Sequence, residues 1–167
     1  MASADRVLPG PALLPAFQLA LRSGLAAGAS IALAGAFGLE FPIYAMIGAV
    51  IVTDLAPGKT RELALQRLVG TVLGAAIGAL VSVIGLVGPG AIGLSIGVTL
   101  FLCHVIRLQG TAKLAAYVCG IVMLDHSAQP WEYAAFRLVE TVLGVVVAVA
   151  VSSVPLLVRI EDPSAPR

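Results

Sequence analysis

The sequence predicts an all-α, polytopic membrane protein: six transmembrane helices forming two inverted three-helix repeats, each long, short and long. Three observations predict it. Of 167 residues, 59% are hydrophobic and 11% are charged, whereas soluble domains carry about 25% charged residues. The apolar residues gather into six runs separated by Pro, Gly and charged clusters. A stretch of the second half repeats one of the first. The 10 Lys+Arg and 9 Asp+Glu are too few to clothe a globule in water. Disorder is excluded by the same figures, because disordered chains are charge-rich and poor in apolar residues. A net charge of +1 without a basic cluster excludes nucleic acid as a partner. The runs lack the period-two alternation of a membrane barrel.

Residues 1–15 carry three prolines and no secretory signal, and read as a tail. Ala16 to Leu39 gives a largely apolar segment of 24 residues, enough to cross a core of roughly 30 Å. Arg22 lies early in this segment, where it can snorkel to the interface. Glu40-Phe41-Pro42 ends it. The short second segment, Ile43 to Thr53, is closed by Asp54 and Pro57-Gly58. Thr60 reads as the N-cap of a third helix, Arg61 to Leu86, with Glu62 in its first turn. Gly88-Pro89-Gly90 stops that helix. A fourth segment covers Ala91 to Ile106, and Arg107, Gln109 and Gly110 break it. A short fifth runs from Leu114 to Leu124. After a turn at 125–129, Pro130 fits the first position of a sixth helix reaching Val158. The helical domain is thus 16–158, with repeat one at 16–86, repeat two at 91–158 and a polar tail at 159–167.

Charge sets the topology. With all six segments crossing and both termini cytoplasmic, nine of the ten cations fall inside and Arg137 alone falls outside, as the positive-inside rule expects. Phe41, Tyr44, Trp131, Tyr133 and Phe136 then form an outer aromatic belt. Segments two and five are short for a crossing. Were they re-entrant, Lys59, Arg61, Arg67, Arg107 and Lys113 would move outside, so short crossing helices shielded by neighbours are expected.

The repeat is RLVGTVLGAAIGAL from Arg67 against RLVETVLGVVVAVA from Arg137, sharing Arg, Leu, Val, Thr, Val, Leu and Gly at equal spacing. Upstream, AMIGAVIVTD ending at Asp54 matches AYVCGIVMLD ending at Asp125. Three crossings per half force the halves into opposite orientations, the plan of many secondary transporters. Arg67, Thr71, Gly74 and Gly78 share one helix face, and Arg137, Thr141, Gly144 and Ala148 repeat it. Gly70, Gly74 and Gly78 make a ridge suited to close helix packing, as does Gly144.

An arginine inside a membrane costs at least about 2.5–3.5 kcal/mol at the centre, so it faces a partner or an aqueous path unless it can snorkel. Guanidinium suits a carboxylate through two parallel hydrogen bonds. Arg67, Thr71, Arg137, Glu140 and Thr141 are therefore candidate substrate residues. Glu140 has two readings: an ion pair neutralising Arg137, or a carboxylate that exchanges its proton when an anion takes its place. Asp54 and Asp125 cap the following turns or serve proton coupling or gating. His104 reads as a packing residue. Cys103 and Cys119 form neither a disulfide framework nor a metal site, and no cofactor motif survives inspection. Gly93-Leu94-Ser95-Ile96-Gly97 sits in an apolar helix instead of a nucleophile elbow. Gly88-Pro89-Gly90-Ala91-Ile92-Gly93 lacks a strand–helix unit. Pro57-Gly58-Lys59-Thr60 lacks the leading Gly of a phosphate loop.

The motifs EFPIYAMIGAVIVTDLAPGKT, RLVGTVLGAAIGAL and QPWEYAAFRLVETVLG resemble the bacterial fusaric acid resistance and aromatic acid exporter proteins, distant relatives of plant malate channels. The resemblance covers roughly residues 20–155. It implies a six-helix domain in the bacterial inner membrane that exports or conducts organic anions as a homodimer or larger oligomer. By motif it implicates Arg67, Thr71 and Gly74, and Arg137, Glu140, Thr141 and Gly144. The leading expectation is a transporter of small, possibly aromatic, carboxylates that is not an enzyme. The alternatives are an oligomeric anion channel and a membrane subunit without transport of its own.

Overall fold

Proline sets most of the helix starts. Its missing N–H is one of the donors a first helical turn leaves unpaired in any case. The computed structural model describes residues 13–86, 88–125 and 129–154. These hold six helices: α1 (Leu13–Ala36), α2 (Pro42–Val52), α3 (Pro57–Val83), α4 (Pro89–Val105), α5 (Gln109–Asp125) and α6 (Pro130–Ser153). α2, α3, α4 and α6 open on proline, and none has a side-chain cap. Among the described residues α1, α3 and α6 are long and apolar enough to cross a membrane, and α2, α4 and α5 are shorter apolar helices.

Several boundaries differ from the sequence reading. α3 starts at Pro57, so Thr60 lies inside it. The Thr60 hydroxyl accepts the Asp54 N–H at 3.1 Å and lies 3.3 Å from the Ser152 hydroxyl. α1 begins at Leu13, inside the stretch read as tail. α5 is the larger correction: it has 17 residues, as many as α4, so the second triplet is not long, short and long. Arg107 adopts the left-handed conformation, with φ 61°. Leu108 then donates to the Cys103 carbonyl at 2.8 Å, and three residues, 106–108, join α4 to α5. Gln109 and Gly110, expected as breakers, thereby enter the helix. Residues 155–158, read as the end of the sixth segment, and the 159–167 tail lie outside the described residues.

The bundle is inside-out relative to a soluble one. Ala26, Ala34, Ala45, Ala49 and Ala79 are fully buried, whereas Leu94, Phe101 and Leu124 are more than two-thirds exposed. Lipid is as apolar as leucine, so helix association gains from close backbone approach. α3 packs on α5 and α6, α2 on α6 and α1, and α4 on α5. Exchanging α1, α2 and α3 for α4, α5 and α6 turns α3–α5 into α2–α6 and α1–α2 into α4–α5, and leaves α3–α6 as itself. A Cβ at Gly74 would strike the Ala115 carbonyl of α5, and one at Gly144 the Ala45 carbonyl of α2.

Arg22 does not snorkel. It is 4% exposed, on the inward face formed by Gln18, Arg22, Ala26, Ser30 and Ala34. Its Nη1 donates to the Leu55 carbonyl at 3.0 Å and its Nη2 to the Val154 carbonyl at 3.1 Å. The last carbonyls of a helix have no intrahelical donor and carry negative charge, so the end of α6 is a natural seat for a cation.

Candidate functional site

Two of the longest helices each bring an arginine into the bundle: Arg67 from α3 and Arg137 from α6. They are 2% and 1% exposed. Both guanidiniums converge on Tyr117 of α5, with Cζ 5.7 Å and 5.9 Å from its ring centroid. Arg67 Nη1 donates to the Tyr117 hydroxyl. Arg137 Cζ lies 3.8 Å above the Tyr44 ring of α2, and its Nη1 donates to the Tyr133 hydroxyl at 3.1 Å. Tyr133 in turn donates to the Tyr44 hydroxyl at 2.5 Å. Phe41, Tyr44 and Tyr133 form a ring cluster with centroids 5.5–6.1 Å apart.

Glu140 is fully buried one turn from Arg137, yet the expected ion pair does not form. Its Oε1 accepts the Phe41 N–H at 2.6 Å. The N-terminal end of α2, where Phe41 stands, favours negative charge, while stacking on Tyr44 directs the guanidinium elsewhere. Among the described residues the one ion pair is exposed, Lys59 with Glu62 at 2.9 Å. No carboxylate among the described residues therefore pairs with either buried arginine.

Among the described residues six buried side-chain atoms have no hydrogen-bond partner: Arg22 Nε, and here Arg67 Nε, Thr71 Oγ1, Arg137 Nε, Thr141 Oγ1 and Glu140 Oε2. The threonines are telling. Thr53, Ser82 and Thr99 return their hydroxyls to a carbonyl four residues back, at 2.7–2.9 Å. Thr71 and Thr141 do not, although Arg67 and Arg137 offer the same carbonyl. Buried polar groups are normally satisfied, so unpartnered atoms gathered along these two helices are unusual. A cavity of about 110 Å³ lies beside them, lined by Glu40, Phe41, Gln129, Glu132, Tyr133 and Phe136.

The other sequence candidates lie elsewhere. Asp54 Oδ1 accepts the Ala56 N–H at 3.1 Å within the α2–α3 link. Asp125 ends α5, and its side chain lies outside the described residues. Gly70, Gly74 and Gly78 face α5 and Gly144 faces α2. His104 is exposed, with Nδ1 2.8 Å from the Leu100 carbonyl. Cys103 and Cys119 are buried and free. Sequence reasoning missed the tyrosines: Tyr44 and Tyr133 were assigned to an interfacial belt and Tyr117 to nothing. The signal for Tyr133 was present, four residues before Arg137 and hence on its face.

A family description, fusaric acid resistance protein-like, matches residues 27–151 and so takes in both arginines and both threonines. The chain belongs to the fusaric acid resistance protein-like family. This is a family of membrane transporters, not of enzymes. No curated protein and no solved structure matches the chain. Membership and the apolar helices make this fusaric acid resistance-like chain a membrane protein of a transporter family.

Proposed function

We propose that the chain carries small organic anions, aromatic carboxylates foremost, across the bacterial inner membrane, with Arg67 and Arg137 as the anion site. One observation carries the reading: two buried guanidiniums without a paired carboxylate, each with a free Nε and an unpartnered threonine one turn on. Nε and an adjacent Nη present the two parallel donors a carboxylate takes. The threonine hydroxyls add donors to the same headgroup. The Tyr44, Tyr117 and Tyr133 rings give an aromatic substrate apolar faces, worth about 0.5–1.5 kcal/mol per ring pair beyond burial. A charge in an apolar interior is costly unless paired, so guanidiniums held by tyrosines and by no carboxylate favour an anion over a neutral solute.

In this reading all six helices cross the bilayer as two inverted triplets with both termini cytoplasmic. The exchange of packing pairs and the distribution of cations support it. Glu140, placed by its motif among the substrate groups, holds the Phe41 N–H instead. Asp54 serves its turn. Asp125 is left to the expectation of proton coupling or gating.

A second reading has an observation of its own. Tyr117, which covers both arginines, is 37% exposed on the outside of the bundle. A homodimer that buried this face would place the arginines of two copies along a shared anion pore. Proteoliposomes loaded with benzoate test the function. Wild-type protein releases it, and Arg67→Ala and Arg137→Ala each slow release. Unchanged release in both, at equal protein incorporation, would contradict the assignment. Single-channel steps in planar bilayers would favour the pore.

A further inference from the structure

We propose that Glu140 is a positioning residue that holds an aromatic plug, Phe41, Tyr44 and Tyr133, across the route between the Glu40–Glu132 cavity and the arginine pair. The inference rests on the reading of that pair as the anion site. Phe41 and Tyr133 belong both to the cavity wall and to the ring cluster. Tyr133 bonds Arg137 directly, and Tyr44 stacks on it. The ring cluster thus touches the cavity through Phe41 and Tyr133 and the guanidinium through Tyr133 and Tyr44.

The plug is tied from below. Phe41 lies in the link between α1 and α2, and Glu140 lies on α6. The 2.6 Å bond from the Phe41 N–H to Glu140 Oε1 fixes that link to α6 across 99 residues of sequence. The acceptor is fully buried, with its other oxygen unpartnered. A buried carboxylate without a cation is an expensive way to pack a helix. Repeat one has Gly70 at the matching place, where the Leu114 side chain occupies the space. The carboxylate therefore stands only where there is a ring plug to hold, on the Arg137 side.

The test reads access, not flux. Thr141→Cys, 1% exposed in the native residue and one turn past Arg137, is placed in a Cys103→Ala, Cys119→Ala background as a reporter. A membrane-impermeant methanethiosulfonate is applied to sealed vesicles of each orientation. The reporter labels slowly, and still slowly with Glu140→Gln, whose amide oxygen accepts the same N–H. With Glu140→Ala, labelling from the Glu40 face rises on the order of tenfold, the scale of losing a charge-assisted hydrogen bond. Phe41→Ala, which removes one ring of the plug without touching the carboxylate, does the same. Unchanged labelling in both alanine variants would overturn the plug. So would Gln labelling as fast as Ala, or an equal rise from both faces, which marks a loosened bundle. Anion flux that needs both arginines while the thiol stays closed would sink the plug alone. A plug that opens in a protein moving no anion would sink the functional reading alone.

Discussion

The α3 and α6 arms carry the same Arg-x-x-x-Thr motif in different surroundings. On α3, Arg67 meets one tyrosine, Tyr117, and packs beside Gly70, whose empty side is filled by Leu114. On α6, Arg137 meets three tyrosines and stands one turn from the buried Glu140. The shared part is the cation, its free Nε and the unpartnered hydroxyl. Tyr117 also serves both; the divergent part is the remaining cover, Tyr44, Tyr133 and Glu140 on the Arg137 side. In the proposed reading the repeated motif supplies two halves of an anion site, and the different surroundings give one half a closure the other lacks.

The comparison can be broken at its largest effect first. If the arginines are equal halves, Arg67→Ala and Arg137→Ala slow benzoate release to similar extents. Each loses hydrogen bonds to a charged partner worth about 1.5–3 kcal/mol, or roughly ten- to a hundredfold. Lysine does not rescue either, because it lacks the planar fork. A large loss in one and none in the other would show the halves to be unequal.

Packing gives the next effect. Gly74→Ala and Gly144→Ala force a Cβ onto the backbone of α5 and α2, and each destabilises by about 1–3 kcal/mol. Gly28→Ala and Gly97→Ala, with nothing within 4 Å of the added carbon, leave thermal unfolding in detergent unchanged. Equal shifts in all four would show that the helices pack differently from this structure.

The smallest effect concerns the hydroxyls. Thr71→Val and Thr141→Val remove no hydrogen bond of the empty protein, so the melting temperature holds while benzoate affinity falls. Thr99→Val loses its bond to the Ser95 carbonyl, 2.7 Å long, and costs about 1 kcal/mol of stability with affinity untouched. A threonine pair that behaved like Thr99 would be a packing feature only.

Hydropathy and the proline punctuation made six helices legible, because both act within one segment. The α4–α5 turn was not, since Arg107 adopts a glycine-like conformation without glycine's signature. The motif arginines and threonines were legible by duplication. Their tyrosine surroundings were not, because Tyr44 and Tyr117 reach the site from other helices, and in sequence an aromatic near a segment end looks interfacial. Glu140 was found, but its partner was misjudged. Helix spacing points to Arg137, while a backbone N–H at position 41 leaves no trace in the side-chain pattern. Arg22 was misplaced for a related reason: its acceptors are carbonyls at the ends of other elements.

The claim that both buried guanidiniums wait for one anion is tested most directly by anomalous diffraction from crystals grown with para-bromobenzoate. The account predicts one bromine site among the Tyr44, Tyr117 and Tyr133 rings, with the carboxylate on Arg67 and Arg137, lost in Arg137→Ala. A dry, empty cluster in the wild-type crystal, with bromine bound only elsewhere, would contradict it.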